Sequence, residues 1–332
     1  MEVDISTKYA GLKLKSPIIV GACSLTSNLE NIKKIEQSGA GAVVLKSIFE
    51  EEIMNEFVDV LKQAQKKGID DENLDYLDLK IRHQNIDNYL DLIKQAKNNV
   101  DIPIIASINC VSPSEWSLYA KKIEEAGADA IELNIFALPL DFEKTSQQIE
   151  DTYFKIISET KKNTKIPVTV KLSSYFTNLG KIIVDISKTG VGGLVFFNRF
   201  YNTDIDIYTQ KVITSEIFSR PSDYTLPMRW LAMTSGRVEC SLAASTGVHT
   251  TETLLKMIFA GASAVQTVSS VYLEGFEIIE KMNNEIVEFM NKNNYEALSQ
   301  MIGLVSQRNI KNHVIYERFQ FMKYFSDYTD VI

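Results

Sequence analysis

Cysteine is scarce in this sequence, whose 332 residues include only Cys23, Cys110 and Cys240, with no close pair among them. Such spacing excludes a disulfide framework, a cysteine zinc site and an iron–sulfur cluster, and it predicts a reducing, cytoplasmic location. A basic surplus is also missing, because 43 acidic residues outnumber 35 basic ones. This charge balance disfavours a nucleic-acid partner.

No apolar run approaches the roughly 18 residues of a membrane span, and the N-terminus lacks the apolar core of a signal peptide, so no membrane partner is expected.

What the sequence does contain is a repeated alternation of short apolar segments and helical patterns. Eight segments rich in β-branched and apolar residues predict buried strands at residues 17–21, 42–45, 103–108, 128–134, 166–173, 192–197, 239–244 and 262–267. Gly39, Gly127 and Gly261 each precede a strand and predict helix ends. Eight such units in one chain favour a TIM (β/α)8 barrel. A doubly wound open sheet is the alternative, disfavoured because no G-x-G-x-x-G motif follows the first strand.

Two long segments interrupt or follow this alternation within what we expect to be a single barrel domain, residues 1–332. The polar stretch at 49–99 is too long for a plain connection between a strand and a helix. It predicts an insertion after strand two that passes over the strand ends and then forms the second helix. Residues 294–332 predict a partly helical, aromatic-rich extension that packs across the barrel or against a partner. A shorter irregular stretch is expected at 199–225, and residues 272–291 predict the last helix of the barrel.

Polar or small residues follow almost every predicted strand. Lys171 is the most informative, because it lies at the end of an apolar strand and lysine is almost never fully buried unless it is paired. In a parallel barrel the carboxyl ends of the strands meet on the face where the chemistry takes place. The residues expected on that face are Gly21, Ala22, Cys23, Lys46, Ser47, Asn109, Asn134, Lys171, Asn198, Ser245, Thr246, Gly247 and Ser269.

The chemistry of this set suits a flat heterocycle with carbonyl and ring-nitrogen edges. Asparagine amides both donate and accept hydrogen bonds, and lysine ammonium groups stabilise negative charge. The small and hydroxyl residues after strands seven and eight lie where barrels often hold a phosphate. One asparagine after a strand is commonly only a turn residue. The hypothesis therefore depends on the coincidence of polar residues at consecutive strand ends.

The ordered set resembles the class 1 dihydroorotate dehydrogenases and their FMN-dependent barrel relatives. The segments that carry the resemblance are SPIIVGA, GAVVLKS, IELN, VTVKL, the strand that ends at Asn198, and STGVHTTETLLKMIFAGASAVQ. It extends over about residues 9–275. The resemblance implies an FMN-dependent oxidoreductase of pyrimidine biosynthesis, acting on the CH–CH group of a dihydropyrimidine or a similar small molecule. A homodimer is the assembly that it suggests.

The resemblance also implies roles for individual residues. Lys46 would contact flavin and substrate, and Lys171 would stabilise the anionic N1–O2 edge of the reduced flavin. Asn134 and Asn198 would face flavin or substrate. The remaining residues of the implied FMN site, with the phosphate held by the last three, are Gly21, Ala22, Ser47, Asn109, Ser245, Thr246, Gly247 and Ser269.

One departure from the family concerns the catalytic base. The family places a cysteine or serine base in the loop after strand four, whereas Ala137 occupies that position here. An alanine accepts no proton, and loss of a base usually slows a reaction by roughly 10²–10⁴. Val268 also replaces a glycine after strand eight. A non-catalytic barrel that binds flavin or nucleotide is therefore one alternative, and a Schiff-base lyase or aldolase with Lys171 as nucleophile is another.

Two routes for the electrons are compatible with the sequence. Because the sequence has no iron–sulfur cysteine cluster, electrons would leave through a soluble small acceptor or a separate partner.

Overall fold

Parallel strands close into a barrel in the computed structural model, which describes residues 3–49, 74–109, 116–135, 141–200, 203–311 and 313–317. The strands are β1 (Thr7–Tyr9), β2 (Leu12–Leu14), β3 (Ile18–Val20), β4 (Ala42–Val44), β5 (Ile48–Phe49), β6 (Ile104–Asn109), β7 (Ala130–Asn134), β8 (Val168–Leu172), β9 (Gly193–Phe196), β10 (Thr203–Asp206), β11 (Lys211–Thr214), β12 (Ser241–Ala244) and β13 (Ala264–Thr267). β4 and β5 share one position because both pair with β6, and β3 joins β4 to β13. The ring has eight parallel positions. The predicted TIM barrel is confirmed, and the open-sheet alternative is wrong.

Helices surround the barrel, and local sequence signals set many of their ends. They are α1 (Leu29–Gln37), α2 (Leu74–Asn99), α3 (Trp116–Glu125), α4 (Ser146–Lys162), α5 (Leu179–Ser187), α6 (Thr225–Thr234), α7 (Thr251–Ala260), α8 (Ser269–Glu274), α9 (Glu277–Lys292) and α10 (Val314–Glu317). Thr145 and Thr250 cap α4 and α7 by accepting a backbone N–H of the first turn. The glycines predicted to end helices have positive φ angles of 89°, 98° and 128° at Gly39, Gly127 and Gly261.

Alternating side chains of the barrel strands divide the core into two layers. One buried cluster lies inside the barrel and includes Ile19, Ile105 and Val195. The larger cluster, with residues such as Ile18 and Ile104, lies between the strands and the helices. Burial on both faces explains why these strands appear in the sequence as nearly continuous apolar runs.

The β1–β2 hairpin closes the barrel at the amino-terminal ends of its strands. Tyr9 at the end of β1 is fully buried, and a Cβ atom added to Gly193 at the start of β9 would lie 2.8 Å from its ring. The Ala10 N–H donates to Ser241 Oγ at the start of β12, 3.1 Å away. The carboxyl ends of the strands, where the candidate site was predicted, therefore lie at the end opposite the hairpin.

Two predictions about the second half of the chain were wrong in detail. The helix expected at 272–291 is two helices, α8 and α9, because Gly275 between them has a φ of 82°. The irregular stretch expected at 199–225 contains the antiparallel β10–β11 hairpin. The turn of this hairpin uses Gln210 with a φ of 55° instead of a glycine or asparagine, so the usual sequence signal for the turn is missing.

The segment after α9 packs along the outer helices as far as the structure describes it. Val305 N–H donates to the carbonyl of Phe259 in α7, and Gln307 N–H donates to that of Ala232 in α6. Residues 318–332 of the predicted extension lie outside the described residues, as do residues 50–73 of the predicted insertion. None of the helices in the described parts of the chain combines the length and the apolar character that a membrane span requires.

Candidate functional site

Three polar residues on neighbouring strands form a row near the carboxyl ends of the barrel strands. Asn109 of β6 is in register with Asn134 of β7, which is in register with Lys171 of β8. Residues paired in this way carry their side chains on the same face of a sheet. Lys171 Nζ donates to Gln266 Oε1 of β13, 3.0 Å away, and β13 is not adjacent to β8. The row therefore faces the barrel interior, and the structure brings three of the predicted residues together.

A pair of asparagine amides extends this row. Asn198, just after β9, donates from Nδ2 to Oδ1 of Asn134 at 2.6 Å. Both side chains are half-buried, whereas Asn109 is only 3% exposed. The Asn134–Asn198 contact uses one donor and one acceptor, so the two amides still offer three N–H donors and lone pairs on both oxygens.

Lys46 and Ser47 lie where the chain leaves the barrel ladder between β4 and β5. Here the hydroxyl of Tyr89, from α2, accepts from Ser107 N at 2.8 Å and donates to Ser107 O at 3.2 Å. Ser47 Oγ is also hydrogen-bonded to Ser107 Oγ, at 2.7 Å. Burial raises the pKa of Tyr89 well above its usual value, so the hydroxyl keeps its proton. Tyr89 thus replaces the missing strand partner of Ser107, and the Ser47–Ser107 bond fixes the chain next to Lys46.

A buried glutamate lies one layer deeper in the barrel. Gln266 Nε2 donates to Glu132 Oε2 of β7 at 2.5 Å, so Lys171, Gln266 and Glu132 form a continuous hydrogen-bonded chain. Burial raises the pKa of Glu132, and the charge of Lys171 and the bond from Gln266 offset part of that rise. Among the described residues, Glu132 Oε1 and the Tyr9 hydroxyl are the fully enclosed side-chain atoms that lack a hydrogen-bond partner.

Sequence reasoning missed both Glu132 and Gln266, because it considered only the ends of the strands. The available signal was a charged residue in IELN and an amide in AVQT, both within strands that are otherwise apolar. Polar side chains that are buried in this way almost always have partners.

The predicted phosphate residues lie in two adjacent loops. Thr246 and Gly247, after β12, both have a φ of 77°, and Thr246 Oγ1 donates to the Phe197 carbonyl. Thr267 Oγ1 at the end of β13 donates to the carbonyl of Val248, which ties the loop after β12 to the end of β13. A Cβ atom on Gly247 would lie 2.2 Å from Tyr224 N, so this position requires glycine.

A second cluster in this region was not predicted. Ser219 Oγ is 2.9 Å from His249 Nε2 and 3.1 Å from Ser269 Oγ, and Ser219 N donates to Ser269 Oγ at 3.0 Å. His249 is 8% exposed and therefore belongs to this cluster and not to the surface. The sequence carried no signal for it, since Ser219 lies in the stretch that was expected to be irregular.

The end of the first barrel strand approaches the Lys171 chain. A Cβ atom on Gly21 would lie 3.3 Å from Gln266 Oε1 and 3.0 Å from a methyl group of Val268. Gly21 thus allows the backbone to lie beside the atom that accepts from Lys171. Burial raises the pKa of Cys23, so its thiol is a poor base near neutral pH.

The residues present fit a flavin nucleotide. The amide row and Lys171 offer donors and acceptors to a flat ring. At the start of α8, Val268 has no side chain that could cap the helix, and the N–H groups of the buried Ser270 and Val271 have no acceptor in the described part of the chain. Such unpaired donors, beside the hydroxyls of the two loops, suit a phosphate. Ala137 lies outside the described residues, and those residues contain no cluster of side chains that could hold a metal ion.

Comparisons with known proteins agree with this arrangement. The chain matches the family model described as dihydroorotate dehydrogenase over residues 4–290. It is 28% identical to the dihydroorotate dehydrogenase B (NAD(+)) catalytic subunit of Thermoplasma volcanium, covering 92% of this chain and 99% of that protein. The subunit of the same name from Methanocaldococcus jannaschii is 27% identical, with the same coverage. A crystal structure of DHODH from Eimeria tenella in complex with ferulenol has a TM-score of 0.63 at 16% identity, covering 91% of this chain and 88% of that one.

Proposed function

This chain belongs to the dihydroorotate dehydrogenase family, and from that premise we propose that it oxidises the CH–CH bond of dihydroorotate or a closely similar dihydropyrimidine. Members of the family use FMN, and the chain is an FMN-dependent oxidoreductase that resembles dihydroorotate dehydrogenase. The Schiff-base alternative is therefore set aside. The observation that carries the choice of substrate is the interior row of Asn109, Asn134 and Lys171 with Asn198 beside it.

The asparagines would recognise the substrate. A dihydropyrimidine ring alternates carbonyl and N–H groups along one edge, and the Asn134–Asn198 pair leaves both donors and acceptors for such an edge. Recognition of this kind is selective, because a molecule without these groups would leave buried amides unpaired.

Lys171 would act on the cofactor side. When bound, FMN supplies the chemistry that accepts a hydride. One of the three Lys171 donors is directed to Gln266 Oε1, and two are left for a neighbouring group. A fixed ammonium group stabilises negative charge that develops beside it, which favours the reduced state of the cofactor.

The substrate must also lose a proton, and here the chain differs from its family. Ala137, at the sequence position of the family's base, accepts none, and the Cys23 thiol stays protonated near neutral pH. We propose that water takes the proton and that turnover is roughly 10²–10⁴ slower than with a positioned base.

An anaerobic reduction experiment tests this proposal. The FMN-loaded protein is mixed with dihydroorotate in the absence of oxygen, and the rate of bleaching of the visible flavin band is measured for the native chain and for Ala137→Cys. We expect slow bleaching in the native chain and an increase of about 10²-fold or more in the variant, because a thiolate base is restored.

Ala137→Val is the matched control, since valine alters the size of the side chain without adding a base. Equal rates in all three proteins would contradict the proposed role of position 137. Bleaching by another dihydropyrimidine but not by dihydroorotate would show that the substrate is wrong, whereas bleaching by none would favour the non-catalytic alternative.

The names of the relatives suggest an electron acceptor for this chain. Their names specify NAD(+) and a catalytic subunit. We propose that this chain is likewise the catalytic subunit of an assembly whose electrons reach NAD+, through a separate protein partner, since its three cysteines cannot form a cluster. If the isolated chain reduced NAD+ directly and rapidly, no partner would be needed. The cytoplasmic location and the homodimer are still predictions, and light scattering of the purified protein tests the latter.

A further inference from the structure

We propose that Glu132 and Gln266 are positioning residues that hold the ammonium group of Lys171 at the cofactor edge. This inference rests on the proposed function, because it takes Lys171 to face FMN. Neither residue needs to touch the cofactor or the substrate. Their effect is exerted through Lys171 alone.

Glu132, Gln266 and Lys171 are linked through the barrel interior. The three side chains come from β7, β13 and β8 and meet inside the barrel, with Gln266 between the other two. Among the described residues no salt bridge joins Glu132 directly to Lys171, so the amide is the connection between the buried carboxyl group and the ammonium group. A hydrogen bond of a charged group is directional, and it therefore limits the rotamers that the flexible lysine can adopt.

The orientation of the Gln266 amide depends on both of its neighbours. An ammonium group only donates hydrogen bonds, so the amide oxygen must face Lys171 and the NH2 group must face the other way. Glu132 Oε2 is the acceptor that this NH2 group requires, whether the carboxyl group is ionised or protonated on its other oxygen. Without that acceptor the amide could turn over and present two donors to Lys171. Glu132 therefore selects the orientation of Gln266 that holds the lysine.

The burial of Glu132 and Gln266 costs the fold stability. Glu132 is fully buried and Gln266 is 1% exposed, in a layer that otherwise contains apolar or small side chains. A buried carboxyl group with one unpaired oxygen destabilises a fold. An apolar residue would pack there at lower cost. No step of the proposed reaction uses Glu132 directly, so the placement of Lys171 is the contribution that accounts for it.

The experiment measures how strongly apoprotein binds oxidised FMN and reduced FMN. The ratio of the reduced to the oxidised Kd reports the stabilisation of the reduced state, and it does not depend on turnover. Gln266→Met removes the acceptor of Lys171, and Glu132→Met removes the acceptor that orients Gln266. We expect the ratio to rise about tenfold in Gln266→Met, as for loss of a hydrogen bond to a charged group, and to rise less in Glu132→Met.

Two further variants guard against misfolding and separate positioning from packing. Glu132→Met/Gln266→Met removes both polar groups together, so it leaves no orphaned carboxyl group and should fold, with the same tenfold rise. Glu132→Gln keeps a carbonyl acceptor for Gln266 Nε2, so its Kd ratio should stay at the native value. Thr169→Val is the matched control, because Thr169 is in register with Glu132 but outside the chain of contacts, and it should leave the ratio unchanged.

A readout on the apoprotein does not involve the cofactor. The rate at which an amine-directed acylating reagent modifies Lys171, measured by mass spectrometry, should rise in Gln266→Met relative to the native chain and to Thr169→Val. Native apoprotein that binds no FMN would refute the proposed function. Native apoprotein that binds FMN, with the same Kd ratio and the same Lys171 labelling in every variant, would overturn the positioning inference alone. A rise in Thr169→Val equal to that in Gln266→Met would also overturn it.

Discussion

Glu132 shows how a single residue links the stability of the barrel to its chemistry. Its carboxyl group has no contact with solvent, and burial raises its pKa above the ordinary value of 4.5, while Lys171 and Gln266 limit the rise. A group whose pKa is raised on folding makes its full contribution to the free energy of unfolding below its ordinary pKa. That contribution is lost as the pH rises through the raised pKa of the folded state. The apoprotein should therefore become less stable as the pH rises from about 4.5.

Glu132→Gln should flatten this pH dependence. Glutamine has nearly the same shape, does not titrate, and still offers an acceptor to Gln266. Urea denaturation of both apoproteins between mildly acidic and mildly alkaline pH should show curves of unfolding free energy that diverge as the pH rises, with the variant the more stable. Curves that run parallel over that range would show that the carboxyl group has the same pKa in the folded and unfolded states.

The same residue scale shows what sequence reasoning can find. Lys171 was predicted to be a site residue because lysine is rarely buried in an apolar strand without a partner. Glu132 and Gln266 need the same explanation, but the two residues lie 134 positions apart in the chain, and no local pattern links them. The placement of the site was predictable from residue types, whereas the contacts across the barrel required the fold.

At the scale of elements, the junction of β4, β5 and α2 positions Lys46. The chain leaves the ladder after Leu45, whose N–H still donates to the Ile105 carbonyl. The Tyr89 hydroxyl takes over both hydrogen bonds of Ser107 that a continuous strand would have made. A helix side chain thus completes a sheet. The sequence predicted the strand and the helix separately but gave no sign of this contact.

Tyr89→Phe tests how much this contact contributes. Phenylalanine keeps the ring and leaves the N–H and C=O groups of Ser107 without their partner, so we expect a loss of about 2–3 kcal/mol in the free energy of unfolding. Tyr208→Phe, at a tyrosine that is 92% exposed, is the control and should change stability by less than about 0.5 kcal/mol. Equal stability of the two variants in urea denaturation would mean that water replaces the hydroxyl at no cost.

Element boundaries were predictable where a local signal sets them. Thr250 and the glycine at 261 mark both ends of α7 in the sequence and in the structure. The β10–β11 hairpin was missed because its turn places Gln210 in the left-handed region, and the division between α8 and α9 was missed because Gly275 was not considered as a helix end.

For the whole molecule, the repetition of strand and helix was sufficient to predict a closed barrel. A TIM barrel has eight strand positions, and the eight predicted strands overlap the eight that form the ring. The strand ends then share one face by topology alone, which is why their residue types predicted a site for a flat heterocycle and a phosphate before any distance was known. The Ser219–His249–Ser269 cluster was not predictable, because it depends on how the segment after β11 folds back onto the loops after β12 and β13.

The retention of FMN is the most direct test of the central claim, that the strand ends of this barrel form a cofactor site. Purified protein is incubated with FMN and passed through a gel-filtration column, and its visible absorption spectrum is recorded. We expect flavin bands, shifted from those of free FMN, that elute with the protein. A colourless protein with all of the FMN in the small-molecule fraction would contradict the claim that the strand ends form this site.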